Sequence, residues 1–345
     1  MKNGKILIIT NTISDEINEG QQKLTYQLVS KLAGSERVDW VTYATKCSRA
    51  SRHFPSILSP ALLWQMIRLK YRYILFVPVD VEKPHYWLMA KFLSAIFRKK
   101  VGLLIGWYHK KEPPHQISFC RPDLFITASD IWKVFQEYPG RKFQIQSAVD
   151  TKIFSPVSQE EKLRLKKKLG LPLNEKVVLH AGHLTKGRRL GWMAELPKGY
   201  RGLLLRSTFH EQVMPEAEDL YCRLLNRQNV TIVEGYLAHI EEYFQASDVY
   251  VFTADETGAI NVPLSVFEAL SCNLPVVSTR IGELENIPQG EGLFYVSGED
   301  IEETIRTIDK ASKIEECHTR DKVKQYDWQY GQEEMSRILL GEKGQ

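Results

Sequence analysis

Cysteine is scarce in this sequence of 345 residues, and its spacing is not that of a disulfide framework or a metal site. The five cysteines form no CxxC pair; they are Cys47, Cys120, Cys222, Cys272 and Cys317. This spacing excludes a small disulfide-rich domain and a zinc site of the usual Cys/His type. Free thiols are typical of a reducing compartment, so we expect a cytoplasmic protein with unpaired cysteines.

Long apolar runs are also lacking, because charged residues interrupt every such run well before twenty positions. No transmembrane helix is therefore expected. Residues 1–12 are typical of a first β-strand and not of a secretory signal. A hydrophobic fraction of 43% and a charged fraction of 26% are ordinary for a globular protein and exclude extensive disorder. The length exceeds that of one ordinary core and predicts two domains.

Positive charge is concentrated in the first part of the chain. Residues 1–150 contain 22 Lys and Arg against 12 Asp and Glu, a net charge of +10, whereas the remainder has 24 against 30, a net charge of −6. Aromatic residues interleave with basic ones at 62–76 and 85–100. Such stretches bind anionic membranes or nucleic-acid phosphates, or they are amphipathic helices whose lysines face water. No nucleic-acid reading motif occurs and the pI is only about 8.6, so we expect no nucleic-acid partner.

Strand and helix patterns alternate through the first half of the chain. Short apolar runs predict strands at 5–10, 37–43, 73–77, 101–105, 124–127 and 143–146. Periodic apolar patterns predict helices at 21–32, 60–70, 84–97 and 131–138. This alternation is typical of a parallel sheet with helices on both faces.

A charged segment at 158–171 predicts a helical linker between two such domains. Strand patterns then resume at 176–181, 202–206, 230–233, 249–252, 275–278 and 292–296. The expected fold class is therefore α/β, with two doubly wound domains whose boundary lies near residues 156–171. Ligands bind at the carboxyl ends of strands in such sheets, and two facing sheets would form a cleft.

The stretch 255–279 combines acidic residues with a short apolar helix. Asp255 and Glu256 follow an apolar strand, and Glu268 lies in the first turn of a helix that begins after Pro263. The start of a helix presents unpaired backbone N–H groups and a partial positive charge, which favour an anion. A carboxylate there accepts hydrogen bonds from sugar or ribose hydroxyls, or it compensates the helix charge. This pattern predicts a ligand site.

Several segments resemble the retaining glycosyltransferases of family 4 (GT4), which have the GT-B fold. Residues 147–156, SAVDTKIFSP, are similar to the NGVDxxxFxP signature of that family. Residues 263–287, PLSVFEALSCNLPVVSTRIGELENI, are similar to its donor-site helix and the strand that follows. Weaker similarities occur at 122–130, 180–190, 229–254 and 325–339. All of these segments follow the order of the family.

The resemblance implies GT-B architecture, with two Rossmann-like domains facing each other across a cleft. The first domain comprises residues 1–157 and a closing helix within 325–345 that packs back on it; the second comprises residues 158–324. The implied activity is transfer of a sugar from a nucleotide-activated donor to a hydroxyl acceptor, with retention of configuration. No DxD carboxylate pair stands in a convincing site, so no metal and no other cofactor is expected. Basic side chains and helix starts would then neutralise the leaving diphosphate.

Donor-binding residues implied by the resemblance lie in the second domain. Lys186 matches the lysine of the family's KG loop, and Arg206 ends the next predicted strand. Both are candidate cations for the diphosphate. Glu268 matches the carboxylate that binds the donor ribose, and Leu264 and Ser265 would offer backbone N–H groups to the phosphates. A solvated lysine and a structural arginine are the alternatives.

In the first domain the resemblance points to two places. Gly20, Gln21 and Gln22 occupy the loop where the family has a glycine-rich turn near the donor phosphate and the acceptor. His109 stands where the family has a histidine near the reacting sugar, and we predict a catalytic role for it. A simple helix-entry turn and a structural histidine are the alternatives.

The acidic loop departs from the family pattern. The family has two glutamates separated by seven residues, but Ile260 occupies the first of these positions. We predict that Glu256 replaces that carboxylate in catalysis, with Asp255 as the alternative. Asn261 would share the hydrogen bonding to the donor sugar. The identity of that sugar is therefore not predicted.

Two further departures concern turns. His183 replaces an arginine of the donor loop, and an unperturbed histidine is mostly uncharged at neutral pH. We still include His183 in the donor site, where more of the diphosphate charge would depend on Lys186 and Arg206. Ser147 and Ala148 replace an Asn-Gly pair, which changes a turn and no chemistry.

The sequence leaves several alternatives open. The donor is a UDP-, GDP- or ADP-sugar, and the acceptor is a glycan, a lipid-linked molecule or a polysaccharide precursor. A non-catalytic GT-B protein that binds a sugar nucleotide and a GT-B sugar-nucleotide epimerase are alternative functions. The basic first domain predicts peripheral contact with an anionic membrane, at its inner face.

Overall fold

The computed structural model of the protein describes residues 4–11, 13, 20–114, 121–207, 215–255 and 260–341. The chain divides into two compact units. Unit 1 comprises Met1–Ser147 and Trp328–Gln345, and unit 2 comprises Ala148–Asp327. Each unit contains one parallel sheet covered by helices, so the predicted α/β fold class with two doubly wound domains is confirmed.

The sheet of unit 1 forms from short apolar segments. Its strands are β1 (Ile6–Thr10), β2 (Val38–Tyr43), β3 (Arg52–Phe54), β4 (Tyr73–Val77), β5 (Lys100–Ile105), β6 (Asp123–Ile126) and β7 (Lys142–Gln144). They pair in parallel in the order β3-β2-β1-β4-β5-β6-β7. Every residue of β1 is buried, because a strand covered by helices on both faces has no polar side.

The helices of unit 1 that follow these strands are α1 (Gly20–Ala33), α2 (Pro60–Leu69), α3 (Pro84–Phe97) and α4 (Ser129–Val134). Pro60 and Pro84 occupy the first helical position, where the fixed φ of proline suits the helix and its missing N–H costs nothing. Lys70 and Arg98 end α2 and α3 in the left-handed conformation. Local sequence therefore determines where both helices begin and end.

Unit 2 has a second parallel sheet. Its strands are β8 (Lys176–Gly182), β9 (Tyr200–Arg206), β10 (Val230–Glu234), β11 (Val249–Phe252), β12 (Val276–Ser278) and β13 (Leu293–Tyr295). They pair in the order β10-β9-β8-β11-β12-β13. Its α-helices are α5 (Gln159–Lys168), α6 (Glu218–Leu225), α7 (Ile240–Ala246), α8 (Leu264–Ser271) and α9 (Ile301–Ala311). The carboxyl ends of β8 and β11 are adjacent, since these strands pair in the middle of the sheet.

The charged segment predicted to be a linker is an integral part of unit 2. Leu165 and Lys166 of α5 are buried, and Lys166 forms an ion pair with Asp248 at 2.7 Å. The segment 148–157 also belongs to this unit, because the Ser271 hydroxyl donates to the Phe154 carbonyl and the Thr151 amide donates to Asp327. The division between the units therefore falls before residue 148 and not at 157.

The last described helix, α10 (Trp328–Leu340), belongs to unit 1. It packs against α1, and the Gln332 side chain donates to the Gln27 carbonyl at 2.7 Å. Gly331 permits this close approach, because a Cβ there would lie 3.0 Å from Leu28 Cδ2 of α1 and 2.6 Å from the Cβ of Ser147. The predicted closing segment began at residue 325, but residues 325–327 remain in unit 2.

Across the described ranges, none of the helices is both long enough and apolar enough to span a membrane.

Candidate functional site

Two loops meet at the carboxyl edge of the sheet in unit 2. The segment after β8 contains two 3-10 helices, Lys186–Arg188 and Leu190–Glu195, and the loop after β11 leads to Asp255. The Asp255 amide donates to the Gly187 carbonyl at 2.9 Å, and the Thr253 hydroxyl lies 3.1 Å from the Arg188 carbonyl. These bonds fix the two loops to each other. They keep the exposed Lys186 at this edge of the sheet, where its charge can reach a bound anion.

The start of α8 lies at the same edge. The N-cap residue of this helix is Pro263, whose side chain cannot accept a capping hydrogen bond. The backbone N–H groups of Leu264 and Ser265 have no acceptor within the helix, as is general for the first turn. Helix starts of this kind bind anions through these N–H groups and the positive end of the helix dipole.

Tyr250 of β11 orients a hydroxyl at this helix start. It is completely buried, and its phenol donates to Ser265 Oγ at 2.7 Å. Burial raises the pKa of Tyr250 well above its usual value, so the phenol keeps its hydrogen. Because Ser265 accepts that hydrogen, its own hydroxyl hydrogen can be donated to another acceptor. The first turn of α8 thus offers a side-chain donor beside its backbone donors.

Glu268 is buried on α8, with 4% of its surface exposed. The sequence placed it in the first helical turn, but it is the fifth residue of the helix and therefore lies in the second turn. Compensation of the helix charge falls off beyond the first turn, so this alternative role loses support. Burial raises the pKa of the neighbouring Cys272 thiol, and the negative charge of Glu268 adds to that effect. The carboxylate therefore lies inside the unit and not in solvent.

His180 is a buried polar group that sequence reasoning did not single out. Its Nδ1–H donates to the Val251 carbonyl at 2.9 Å, and its Nε2 has no partner among the described residues. Burial lowers the pKa of His180 to about 3, so the ring is neutral and Nε2 is a bare acceptor. A Cβ on Gly182 would lie 3.5 Å from Nε2. The signal in the sequence is a histidine within the apolar strand KVVLHAG.

Arg206 is less available than the sequence suggested. It ends β9 with 8% of its surface exposed, and its Nε donates to Glu234, the paired residue on β10. Its guanidinium also lies over the Tyr221 ring, 5.5 Å from the centroid. One face and one N–H of this cation are thus engaged inside unit 2. Its assignment to the donor, like that of the half-buried His183, stays a prediction.

The acidic loop is described only in part. Glu256 lies outside the described residues. Asp255 pairs with Arg189 Nε at 3.0 Å, so this carboxylate already has a cation. Asn261 is buried, and its carbonyl accepts the Glu283 amide at 2.8 Å. This contact requires glycine at 282, because a Cβ there would lie 2.3 Å from the Asn261 carbonyl oxygen and φ is +55°.

The predicted residues of unit 1 lie at the carboxyl edge of its own sheet. Gly20 is the first residue of α1, which follows β1. The Gln21 side chain donates to the Val79 carbonyl at 2.9 Å, which joins the start of α1 to the segment after β4. Gln22, next in α1, is half-buried. His109 lies in the segment after β5.

His109 is held by a hydrogen bond of its backbone and by an aromatic contact of its ring. Its backbone N–H donates to Glu82 Oε1 at 2.5 Å, and its ring is nearly perpendicular to that of Trp107, with the two centroids 4.4 Å apart. Its Nε2 is buried and has no partner among the described residues. Burial lowers the pKa of His109, although the nearby Glu82 carboxylate opposes this shift. A neutral imidazole with an unfilled hydrogen-bonding position suits a polar substrate group.

Within the described residues, no group of three or more His, Cys, Asp and Glu side chains is arranged to hold a metal ion.

Residues 211–313 match the family model described as "Glycosyl transferases group 1". Solved structures similar to the whole chain include HepE of Anabaena in complex with UDP and glucose, at 15% identity and a TM-score of 0.73, covering 98% of this chain and 99% of that one. The chain has the GT-B fold of glycosyltransferases. Sucrose-phosphate synthase from Thermosynechococcus elongatus is 16% identical, with a TM-score of 0.70 and coverage of 97% and 98%.

A glycosyltransferase from Rickettsia africae is also similar to this GT-B chain, at 12% identity and a TM-score of 0.72, covering 98% of this chain and 97% of that one. A comparison with curated protein sequences finds no significant match. The GT-B assignment made from the sequence is confirmed. Membership of GT4 within that fold stays a prediction.

Proposed function

We propose that this GT-B chain is a retaining glycosyltransferase that moves a sugar from a nucleotide-activated donor to a hydroxyl acceptor without a metal ion. One juxtaposition supports this most strongly. The start of α8 and the loop that carries Lys186 lie at the carboxyl edge of the sheet in unit 2, and the buried Glu268 follows one turn into α8. An anion-binding helix start beside a buried carboxylate fits a nucleoside diphosphate, whose phosphates accept hydrogen bonds and whose ribose hydroxyls donate them.

Each donor group has a role in this proposal. Glu268 accepts hydrogen bonds from the ribose hydroxyls. The N–H groups of Leu264 and Ser265 and the Ser265 hydroxyl donate to the phosphates, and Lys186 neutralises the charge that grows on the leaving diphosphate. Arg206 and His183 are further donor-binding candidates, and Asn261 is a candidate for the sugar hydroxyls. HepE, a structural relative, is known in complex with UDP and with UDP-glucose, which supports a nucleotide-sugar donor.

The proposed transfer needs no general base from the protein. The bond between the anomeric carbon and the phosphate oxygen breaks, and a bond to the acceptor oxygen forms on the same face of the sugar. The acceptor hydroxyl gives its proton to the departing phosphate oxygen. His109 and Glu256 would contact the reacting sugar, and the segment from Gly20 to Gln22 would lie on the acceptor side. The diphosphate is neutralised by Lys186 and the helix start, which are the groups a metal-free mechanism needs.

The experiment that tests the function has two stages. Thermal unfolding with UDP-, GDP- and ADP-sugars identifies the nucleotide, because a ligand bound only by the native state raises the midpoint. The stabilising donor is then incubated with sugar, glycan and lipid-linked acceptors in the presence of EDTA, and NMR reports the anomeric configuration of the product. We expect a product with the configuration of the donor.

Other outcomes separate the alternatives. Nucleotide binding without turnover on any acceptor would indicate a non-catalytic sugar-nucleotide-binding protein. An isomerised free sugar nucleotide without acceptor would indicate an epimerase. Loss of turnover in EDTA, restored by a divalent cation, would reject the metal-free mechanism. An inverted product would reject retention.

A cytoplasmic location with peripheral contact to an anionic membrane belongs to the same proposal. The described cysteines form no disulfide, which supports a reducing compartment.

A further inference from the structure

The outer faces of α2 and α3 expose large apolar side chains. The sequence left open that these helices turn only their basic residues to water. The structure instead exposes Trp64 by 59% and Ile67 by 64% on α2, and more than half of Leu88 and Ile96 on α3. About half of the exposed large apolar side chains of the described residues fall between residues 58 and 96. Such concentrations mark interaction surfaces, whereas single exposed apolar residues do not.

The topology places both helices on one face of the sheet. The chain passes from β3 through α2 to β4, and from β4 through α3 to β5, moving in the same direction across the strand order. Because such crossovers are right-handed, α2 and α3 cover the same face. The chain passes in the opposite direction from β1 through α1 to β2, so α1 and the attached α10 cover the other face.

On α2 the apolar and basic residues form one stripe. Trp64, Ile67 and Arg68 are spaced three and four residues apart, so they share a helix face. The Arg68 guanidinium lies over the Trp64 ring, 5.0 Å from its centroid. The opposite face of the helix, with Leu62 and Met66, is buried in unit 1. A tryptophan with an adjacent arginine is the pairing that positions a helix at a lipid headgroup layer.

The charge of the region around α2 and α3 indicates which kind of partner these helices bind. Residues 40–111 contain 13 Lys and Arg but only two acidic residues, Asp80 and Glu82. Both acids are engaged locally: Asp80 pairs with Lys83 at 3.6 Å, and Glu82 accepts the backbone N–H groups of His109 and Lys110. A surface of exposed tryptophan and aliphatic side chains within a strongly basic region is complementary to anionic lipid and repels a second copy of itself.

We propose that the outer faces of α2 and α3 form a membrane-docking surface, in which Trp64 and Ile67 insert into the headgroup layer of an anionic bilayer. Arg68, Lys91 and the neighbouring basic residues hold the lipid phosphates. This surface is where the peripheral membrane contact proposed above would occur. Binding of the protein to the membrane through this surface does not depend on transferase activity.

The test is sedimentation of the full chain with vesicles of phosphatidylcholine, alone or mixed equally with phosphatidylglycerol. We expect binding only to the anionic vesicles, weakened by salt. The double substitution Trp64→Ser/Ile67→Ser should weaken binding about tenfold or more. Leu225→Ser/Tyr236→Ser is a matched control, since these residues of unit 2 are 59% and 65% exposed. It should bind as the wild type does.

Two further measurements decide how the surface binds. Brominated anionic lipid should quench tryptophan fluorescence in the wild type and much less in Trp64→Phe, because Trp87 of α3 is completely buried and the five other tryptophans lie outside α2 and α3. Arg68→Glu/Lys91→Glu should weaken binding about tenfold or more while the thermal midpoint stays within a few degrees of the wild type.

The proposal is overturned by equal binding to neutral vesicles, by unchanged binding of Trp64→Ser/Ile67→Ser, or by equal quenching in Trp64→Phe. It is also overturned if the wild type binds no vesicles and forms a dimer that this double substitution dissociates. Transfer to a water-soluble acceptor, assayed without vesicles, should be unchanged in all these variants. Loss of vesicle binding is therefore distinguishable from failure of the proposed transferase activity.

Discussion

At the scale of single residues, two carboxylates are buried among the described residues of unit 2, Glu268 and Glu283. Glu283 is enclosed by protein groups: Tyr326 donates to its Oε1 at 3.1 Å and the Asn286 amide at 3.2 Å. Glu268 lies on α8, one turn beyond the proposed phosphate-binding N–H groups. These contacts explain a structural role for Glu283, whereas Glu268 is the carboxylate that we propose for the donor ribose.

Glu268→Gln should weaken donor binding and leave the fold intact. Each hydrogen bond to a charged group contributes about 1.5–3 kcal/mol, so nucleotide affinity should fall about tenfold or more. Calorimetric titration with the stabilising nucleotide measures this loss. Glu283→Gln is the matched control, and it should lower the thermal midpoint with little change in affinity. Wild-type affinity in Glu268→Gln would contradict the ribose assignment.

Lys186→Ala should reduce transfer far more than stability. Removing a group that stabilises developing charge typically lowers kcat about 10²–10³-fold, while an exposed loop lysine contributes little to folding. Single-turnover transfer and a thermal melt measure the two effects. The control is Lys198→Ala, an exposed lysine just before β9, at the opposite edge of the sheet. Equal loss of activity in both variants would show that the effect is not specific to the donor loop.

Residue types at this site could be predicted from the sequence, but pairings could not. The motif around Glu268 and the lysine of the donor loop could be recognised from the order of residue types alone. The pairing of Arg206 with Glu234 depends on the register between β9 and β10, which no local pattern encodes. The same holds for the phenol of Tyr250, which meets Ser265 only because β11 and α8 pack together.

At the scale of elements, the charged helix α5 is partly buried, and its lysines therefore form ion pairs inside unit 2. Lys166 and Lys162 both pair with Asp248, at 2.7 and 2.8 Å, and the Asp248 carboxylate also accepts the Val177 amide. The helix is thereby fixed to the first strand of the sheet in unit 2. Seven of its ten residues are charged, and the sequence alone predicted a helical linker between the domains.

Acid should destabilise unit 2 through Asp248. Burial opposes ionisation of this group, but Lys162 and Lys166 outweigh it and hold the pKa of Asp248 below its usual 3.8. A carboxyl whose folded pKa is lowered stabilises the protein above about pH 4, and this contribution is lost as the pH falls further. Urea unfolding between pH 7 and pH 3 should show this loss.

Asp248→Asn isolates the effect of this group. Removing one partner of a buried ion pair costs about 3–5 kcal/mol, so the variant should be less stable at neutral pH and should approach the wild type below about pH 4. Glu161→Gln, which breaks the exposed pair with Arg164 on the same helix, should follow the wild-type pH profile. A constant difference between wild type and Asp248→Asn at all pH values would contradict the assignment.

Most strands were predictable because each is a short, nearly continuous apolar run, as a strand covered on both faces requires. The exception is β3, Arg52–Phe54, which has three residues and only one that is fully buried. It pairs with β2 at the edge of the sheet, so its burial comes from tertiary contacts and leaves no periodic pattern in the sequence.

At the scale of the whole molecule, the chain enters and leaves unit 2 side by side. Val149 forms a parallel bridge with Asp327, and the Ala148 amide donates to the Tyr326 carbonyl at 2.7 Å. Unit 2 is thus a closed insertion between two parts of unit 1. The last helix, α10, must then complete the core of unit 1 across the 180 residues of unit 2 (148–327), a separation that makes such contacts slow to form.

Met335→Ala should therefore loosen unit 1 and spare unit 2. Met335 is completely buried on α10, and truncating such a side chain costs about 2–5 kcal/mol. Hydrogen exchange read by mass spectrometry should show faster exchange in α1 and in the strands of unit 1, with unchanged exchange in unit 2 and unchanged nucleotide affinity. Tyr330→Ala, at an exposed position of the same helix, should leave exchange in both units as in the wild type. Faster exchange in unit 2 alone would contradict the assignment of α10 to unit 1.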